Sequence, residues 1–279
     1  MTRLYHKMIK DIPDALPTMD QELLSSTGHN LLGLAARTTG VPYDTIVEEI
    51  ENYTAAVVPI SSGEGVISGF AECVAAVLKH IGLKAWITGQ SDVAGFGEAL
   101  KNGADILFAA DDLKFLAIHV RNKTVVDNAR ATADGFVQAL AGVAEMKGKS
   151  LAGQNVLVLG LGAVGTHAVQ ALQKIAANVW VLDTDAAKIQ ACVKEFSKIQ
   201  VASSLETACR LIDYILDATP AAGIIDETMI RPTTVISCPG VPHGLTPTAR
   251  EKIGTAFIHD NLPLGVAVMA LQSIYPSDK

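Results

Sequence analysis

Residues 155–165 read NVLVLGLGAVG, and residues 178–183 read NVWVLD. The first run is an apolar strand that passes directly into Gly160-Leu161-Gly162-Ala163-Val164-Gly165, after which a helical pattern begins. Each glycine has a physical task. Gly160 permits a tight turn, Gly162 lets backbone approach a pyrophosphate, and Gly165 allows close helix–strand packing. The free N–H groups at the start of the new helix suit phosphate charge. Three glycines alone would be a weak signal. Here they sit in a strand–helix–strand unit whose second strand ends in Asp183, about 20 residues on, where a carboxylate meets ribose hydroxyls. A negative charge there repels a 2′-phosphate, so the pattern predicts NAD rather than NADP as cofactor. The plain alternative is a tight turn with a solvated acid at a strand end.

From this unit the pattern extends in both directions. Downstream, strands are expected near 155–159, 178–182, 198–202, 213–217, 234–237 and 255–258, with helices near 163–176, 185–197 and 204–210. Ligands in open α/β sheets lie beyond the carboxyl ends of strands. This nominates Thr219 in DATPAAG, Cys238 and Pro239 in SCPGVPHG, and Asn261 in HDNLPLG as cofactor-lining residues. Asn261 could serve a nicotinamide carboxamide. The closing run 261–275 reads as an apolar helix that packs back between the two halves.

Upstream, residues 1–53 carry helical patterns and no clear strand. Beyond them AAVVPI (55–60), KAWIT (84–88), DILFAAD (105–111) and KFLAIHV (114–120) read as strands. Helices are expected over 65–82 and 92–103. Strand–helix–strand alternation predicts a parallel sheet. A long helix over 127–148 then leads to a polar hinge, GKSLAGQ, at 148–154. The expected architecture is α/β with two domains. Residues 1–147 form N-terminal helices and a small α/β substrate domain with a linker helix. Residues 148–279 form a doubly wound, Rossmann-type parallel sheet.

Bulk properties narrow the function. The chain has 279 residues, 49% hydrophobic, ample for two cores. A formal net charge of −7 without basic clusters argues against nucleic-acid binding. No apolar run reaches the ~18 residues of a membrane span. The N-terminus lacks a secretory apolar stretch, so a cytoplasmic location is expected. Cys73, Cys192, Cys209 and Cys238 show no zinc-ligand spacing. They read as reduced, buried thiols, and no metal site is expected.

Three polar strand ends in the first half form the candidate substrate side. Ser61-Ser62-Gly63-Glu64-Gly65 sits at a strand-to-helix junction, where a helix N-terminus could bind a carboxylate or amide oxygen. Asp111-Asp112 follows an apolar strand and suits a cationic amine. An amine must lose its extra proton before its carbon can give up a hydride, so a carboxylate facing the cofactor is a sensible base. Asn128, opening the long helix, could orient an amide or amine. Turn formation and helix capping are the plain readings of these same residues. Glu64 reads as a helix-start acid only.

VVPISSGEGVISGFAE (57–72), DILFAADDLKFLAI (105–118), VVDNARATADGFV (125–137), KGKSLAGQNVLVLGLGAVG (147–165) and IHDNLPLGVAVMAL (258–271) together resemble the pyrrolysine synthase family. The resemblance covers nearly the whole chain after about residue 55. It implies NAD-dependent oxidation of the terminal amine of 3-methylornithyl-N6-lysine, an isopeptide. The oxidised carbon reaches the imine or aldehyde level. The 2-amino group of the ornithyl unit then attacks it, and a pyrroline ring closes with loss of ammonia and water. It also implies that Ser62, Asp111 and Asn128 meet the substrate, Asp111 holding or deprotonating the amine. Leu4 and Tyr5 match, loosely, a substrate-covering N-terminal helix. Two other classes stay open. One is a different two-domain amino-acid or imino-acid dehydrogenase, which would usually grip a carboxylate with Lys or Arg. Lys114 and Arg121 are the nearest basic residues and read as surface. The other is an NAD-sensing module without catalysis. A homodimer is expected, with the first sheet and the linker helix as candidate interface.

Overall fold

The computed structural model describes residues 4–63 and 67–276. Four helices open the chain: α1 (His6–Ile9), α2 (Ile12–Thr27), α3 (Leu31–Arg37) and α4 (Tyr43–Glu49). The leucine-bearing run at 20–37 divides at Gly28, which takes the left-handed conformation that stops α2. Asn30 then restarts the chain as a helix by accepting a hydrogen bond from the Gly33 N–H at 2.8 Å.

The first sheet contains β1 (Thr54–Val57), β2 (Lys84–Ile87), β3 (Ile106–Ala110), β4 (Phe115–His119) and β5 (Thr124–Asp127), in the order β2-β1-β3-β4-β5. Helices α5 (Phe70–His80) and α6 (Asp92–Lys101) make the crossovers among the parallel strands β1, β2 and β3. The fully parallel sheet expected from alternation is not found. Only residues 111–114 separate β3 from β4, too few for a crossover, so the pair closes as an antiparallel hairpin. A second tight turn, with Lys123 at positive φ, adds β5 antiparallel to β4. Helix α5 also starts later than the expected residue 65, after Gly69 at φ 83°. Glu64 lies outside the described residues.

The second sheet contains β6 (Asn155–Leu159), β7 (Asn178–Leu182), β8 (Gln200–Val201), β9 (Tyr214–Asp217), β10 (Val235–Cys238) and β11 (Phe257–His259). Its order is β11-β10-β9-β6-β7-β8, and every pairing is parallel. Helices α8 (Ala163–Lys174), α9 (Ala186–Glu195), α10 (Leu205–Leu211) and α11 (Pro247–Ile253) intervene. The strand order reverses between β6 and β9, which opens a crevice at their carboxyl ends.

Two apolar helices join the halves. Helix α7 (Asn128–Met146) packs on α2, α8, α12 and β10, and Ser237 of β10 donates a 2.7 Å hydrogen bond to its Phe136 carbonyl. Helix α12 (Pro263–Ile274) is buried along its whole length, against α7, α3, α5, β4 and β5. Each fully buried Leu, Val, Met or Ile contributes about 1.5–3 kcal/mol relative to exposure. The last helix of the chain is thus anchored on the first half. Helix α7 buries 11 of its 19 residues within the chain, which leaves only a narrow strip of the surface that the sequence offered for a dimer interface. Among the described residues, no helix is long and apolar enough to cross a membrane.

Candidate functional site

At the crevice, β6 runs into Gly160, whose φ of 83° turns the chain beneath β9. A side chain on Gly165 would place its Cβ 1.8 Å from the Gly160 carbonyl oxygen, so this helix start admits glycine alone. Over Gly162 the opposite holds: a Cβ there would meet nothing within 4 Å. Helix α8 begins at Ala163 with no side-chain cap, which leaves its first N–H groups for an anion. Asp183 accepts the Leu161 N–H at 2.6 Å and the Asp185 N–H at 2.8 Å, which pins its carboxylate beside the glycine turn. An open glycine shelf, an uncapped helix start and a fixed carboxylate fit a dinucleotide.

The loops after β9 and β10 are braced by Asp217, which is buried. It accepts from the Thr219 hydroxyl at 2.7 Å, the Gly244 N–H at 2.9 Å and the Cys238 thiol at 3.5 Å. Burial and the neighbouring Asp217 push the Cys238 thiol well up, so it stays a neutral donor. Cys238 and Thr219, expected to line the cofactor, thus brace the loops from within. Pro239 and Val164 face the cleft between the halves.

That cleft measures about 580 Å³, within the usual range of small-molecule pockets. Ser62, Asp111, Asp112 and Asn128 line it from the first half, and Val164, Pro239, Asp260 and Asn261 from the second. Asp111 closes the β3–β4 turn by accepting the Lys114 N–H at 2.7 Å and the Leu113 N–H at 2.8 Å. These two bonds hold its carboxyl below the usual range. Asp112 lies over Gly63, where a Cβ would come 2.7 Å from its Oδ2. Ser61 is turned away: its hydroxyl and N–H both donate to Asp92. The cap of α7 is Asp127, which accepts the Ala129 N–H at 2.8 Å, so the Asn128 side chain is left to face the cleft. Its Nδ2 meets the Met269 sulfur at 3.3 Å. Lys114, read from the sequence as surface, pairs with Asp127 at the same rim.

The N-terminal segment closes one side. Leu4 lines the cleft, while Tyr5 is 54% exposed and points elsewhere. Helix α1 is fastened to both halves. The Met8 carbonyl accepts from Asn261 Nδ2 at 2.8 Å, the Ile9 carbonyl from the Cys73 thiol at 3.1 Å, and the Ser68 carbonyl from His6 Nδ1 at 2.7 Å. Asn261, expected at the nicotinamide, lines the cleft and gives one of its two amide N–H groups to α1.

Known proteins share this sequence pattern and this fold. Residues 8–126 match the family described as pyrrolysine biosynthesis protein PylD, N-terminal domain, and residues 128–234 match the alanine dehydrogenase/PNT C-terminal domain. A pyrrolysine synthase from Methanosarcina acetivorans is 30% identical over 262 residues, 92% of this chain and 96% of the relative. The chain belongs to the pyrrolysine synthase family. It is an oxidoreductase. The fold extends beyond the family. Quinate dehydrogenase from Corynebacterium glutamicum, solved with NAD, superimposes with a TM-score of 0.53 at 14% identity, over 79% of this chain and 93% of that one. Shikimate 5-dehydrogenase from Thermus thermophilus, solved with NADP(H) and shikimate, does so with 0.51 at 18% identity, over 80% and 93%.

One residue of this family member escaped the sequence reading. Asp260 follows β11 directly, lines the cleft from the second half, and is only 7% exposed. Its carboxylate accepts from the Leu262 N–H at 2.9 Å and the Leu264 N–H at 3.3 Å. Burial outweighs those bonds and pushes its carboxyl up to about 7. The signal available in the sequence was an acid directly after a strand and three residues before a helix-starting Pro263.

Proposed function

We propose that this chain oxidises the terminal amine of 3-methylornithyl-N6-lysine with NAD and closes the pyrroline ring of pyrrolysine. The observation that carries this reading is the cleft, which faces an acidic, amide-bearing wall toward a dinucleotide-fitting wall. Among the described residues lining it there is no Lys or Arg to grip a free amino acid's carboxylate, which disfavours a simpler amino-acid dehydrogenase. When bound, NAD supplies the hydride acceptor. Gly160–Gly165 and the start of α8 would hold its pyrophosphate, and Asp183 a ribose. Asp183 also disfavours the extra phosphate of NADP.

Asp111 would hold the terminal ammonium, since a carboxylate of low proton affinity stays charged beside a cation. Asp112 adds negative charge at the same rim. Ser62 and Asn128 would orient the isopeptide amide and the attacking 2-amino group, largely a positioning task. Leu4 would cover the substrate and keep water from the imine. The 2-amino group then attacks the oxidised carbon, and ammonia leaves as the ring closes. In this reading residues 1–147 are the substrate domain and residues 148–279 the dinucleotide domain, in a cytoplasmic homodimer. The dimer would use a surface other than α7, such as the exposed β5 edge. The test is NADH formation with synthetic 3-methylornithyl-lysine beside lysine, ornithine and alanine, with NAD and with NADP. Turnover of the isopeptide with NAD is expected. Activity confined to a free amino acid would overturn the reading.

A further inference from the structure

Asp260 is a second carboxylate in the cleft, on the wall opposite Asp111, and none of the roles above uses it. It sits at the carboxyl end of β11, next to the β10 end that carries Pro239. This is the edge of the sheet at which the reacting part of a bound dinucleotide lies. Opposite stand Asn128 and Thr132 of α7, both brought close by Gly265, where a Cβ would fall 2.9 Å from Asn128 Nδ2 and 2.6 Å from Thr132 Oγ1. The two backbone N–H groups from the start of α12 fix the direction of the Asp260 carboxylate.

Among the described residues no cationic side chain pairs with it. His259 precedes it, but burial keeps that imidazole largely neutral and its Nδ1 donates to the Cys238 carbonyl at 2.8 Å. The other ionisable groups lining the cleft, Glu72, Asp111 and Asp112, are acids. From α1 the Met8 carbonyl accepts a hydrogen bond from Asn261, the next residue. A buried carboxylate without a cation has two ways to relieve its burial: it takes a proton, or it takes a cation that enters. An alkylammonium substrate offers both in turn.

Resting on the reading that the substrate is an amine, we infer that Asp260 is the general base that removes the ammonium proton before oxidation. One N–H bond of R–CH2–NH3+ breaks, one O–H bond forms on Asp260, and the electron pair stays on nitrogen. Asp111 faces the ammonium from the first wall, and Asp260 receives its proton from the second. This divides between two walls the work that the sequence had placed on the Asp111-Asp112 side of the cleft. Burial poises Asp260 near neutrality, where proton transfer to and from water is easiest.

Two measurements test this. In the protein without ligands, carbon-13 NMR of labelled aspartate, with Asp260 assigned by loss of its signal in Asp260→Asn, should show a midpoint near 7. A midpoint below 5 would overturn the proposal whatever the variant does. In turnover, Asp260→Asn keeps the acceptor oxygen that α12 uses and removes the base. We expect kcat to fall by about 100-fold or more, the acidic limb of the pH profile to vanish, and the Kd for NAD to change less than about threefold. Asp260→Glu should restore part of kcat and the acidic limb. Wild-type NADH formation matched by Asp260→Asn, or an acidic limb that persists, overturns this role and leaves the proposed function standing. Wild-type protein that oxidises no amine overturns both. If Asp260→Asn fails to fold, the wild-type titration, with Asp260→Glu used for its assignment, decides.

Discussion

The two walls of the cleft carry the same residue type with opposite chemistry. On the first, Asp111 sits in an exposed hairpin turn, where two backbone N–H groups hold its carboxyl low. On the second, Asp260 also accepts backbone N–H bonds, yet burial pushes its carboxyl up to about 7. Hydrogen bonding of the same kind is present in both, so the difference is desolvation. One wall offers a permanent charge for holding a cation, the other a group that can exchange a proton. The walls differ in material as well: the first presents side chains, and the second, through Gly160–Gly165, presents bare backbone.

The largest predicted effect breaks the second wall. Gly165→Ala drives a Cβ into the Gly160 carbonyl, a backbone atom with no freedom to swing aside. NAD affinity should fall more than ~100-fold and stability by more than about 3 kcal/mol. Calorimetry with NAD and thermal melting measure both; near-wild-type binding would show that backbone shape does not make this wall. Next comes the first wall. Asp111→Asn keeps both turn hydrogen bonds and removes the charge, so KM for the amine should rise about 10–100-fold, kcat should change less, and NAD affinity should not move. A loss in kcat at unchanged KM would reverse the roles of the two carboxylates.

The smallest effect is a matter of sign. Native Asp260 holds its proton to about 7, whereas the unfolded chain releases it near ~3.9. Its contribution to stability is therefore fully present below ~4 and is lost as pH rises through 7. The difference in unfolding free energy, wild type minus Asp260→Asn, should fall between pH 5 and 8, by at most ~1.4 kcal/mol per pH unit. Asp111 runs the other way: its lowered carboxyl contributes above the unfolded value and loses that contribution as pH falls through its own. The exposed turn makes that second effect slight. Parallel trends in the two variants would erase the contrast between the walls.

The glycine wall was legible because its physics is local. Three glycines, a preceding apolar strand and an acid at the next strand end leave few other conformations, and all six strands of that sheet stand near their expected positions. The first half was legible as far as β3. Residues 111–114 were too short for a crossover, and the turn at Arg121–Lys123 before TVVD marked β5. Both hairpin signals were present, but the alternation of the preceding strands outweighed them. Ser62 stood ahead of Ser61 through the family resemblance, not through local pattern; what parts them in the structure is Asp92, about 30 residues away in the chain. Asp260 was hidden for the same kind of reason. Its burial comes from the folded chain around it, and burial is what lifts the carboxyl of a helix-start acid.

The most direct test of the account is the fate of the hydrogens on the amine-bearing carbon. With 3-methylornithyl-lysine deuterated at that carbon, the account predicts one deuterium delivered to the reduced cofactor, one ammonia released and one pyrroline ring formed per turnover. Reduced cofactor free of deuterium, or ring formation without cofactor reduction, would contradict it.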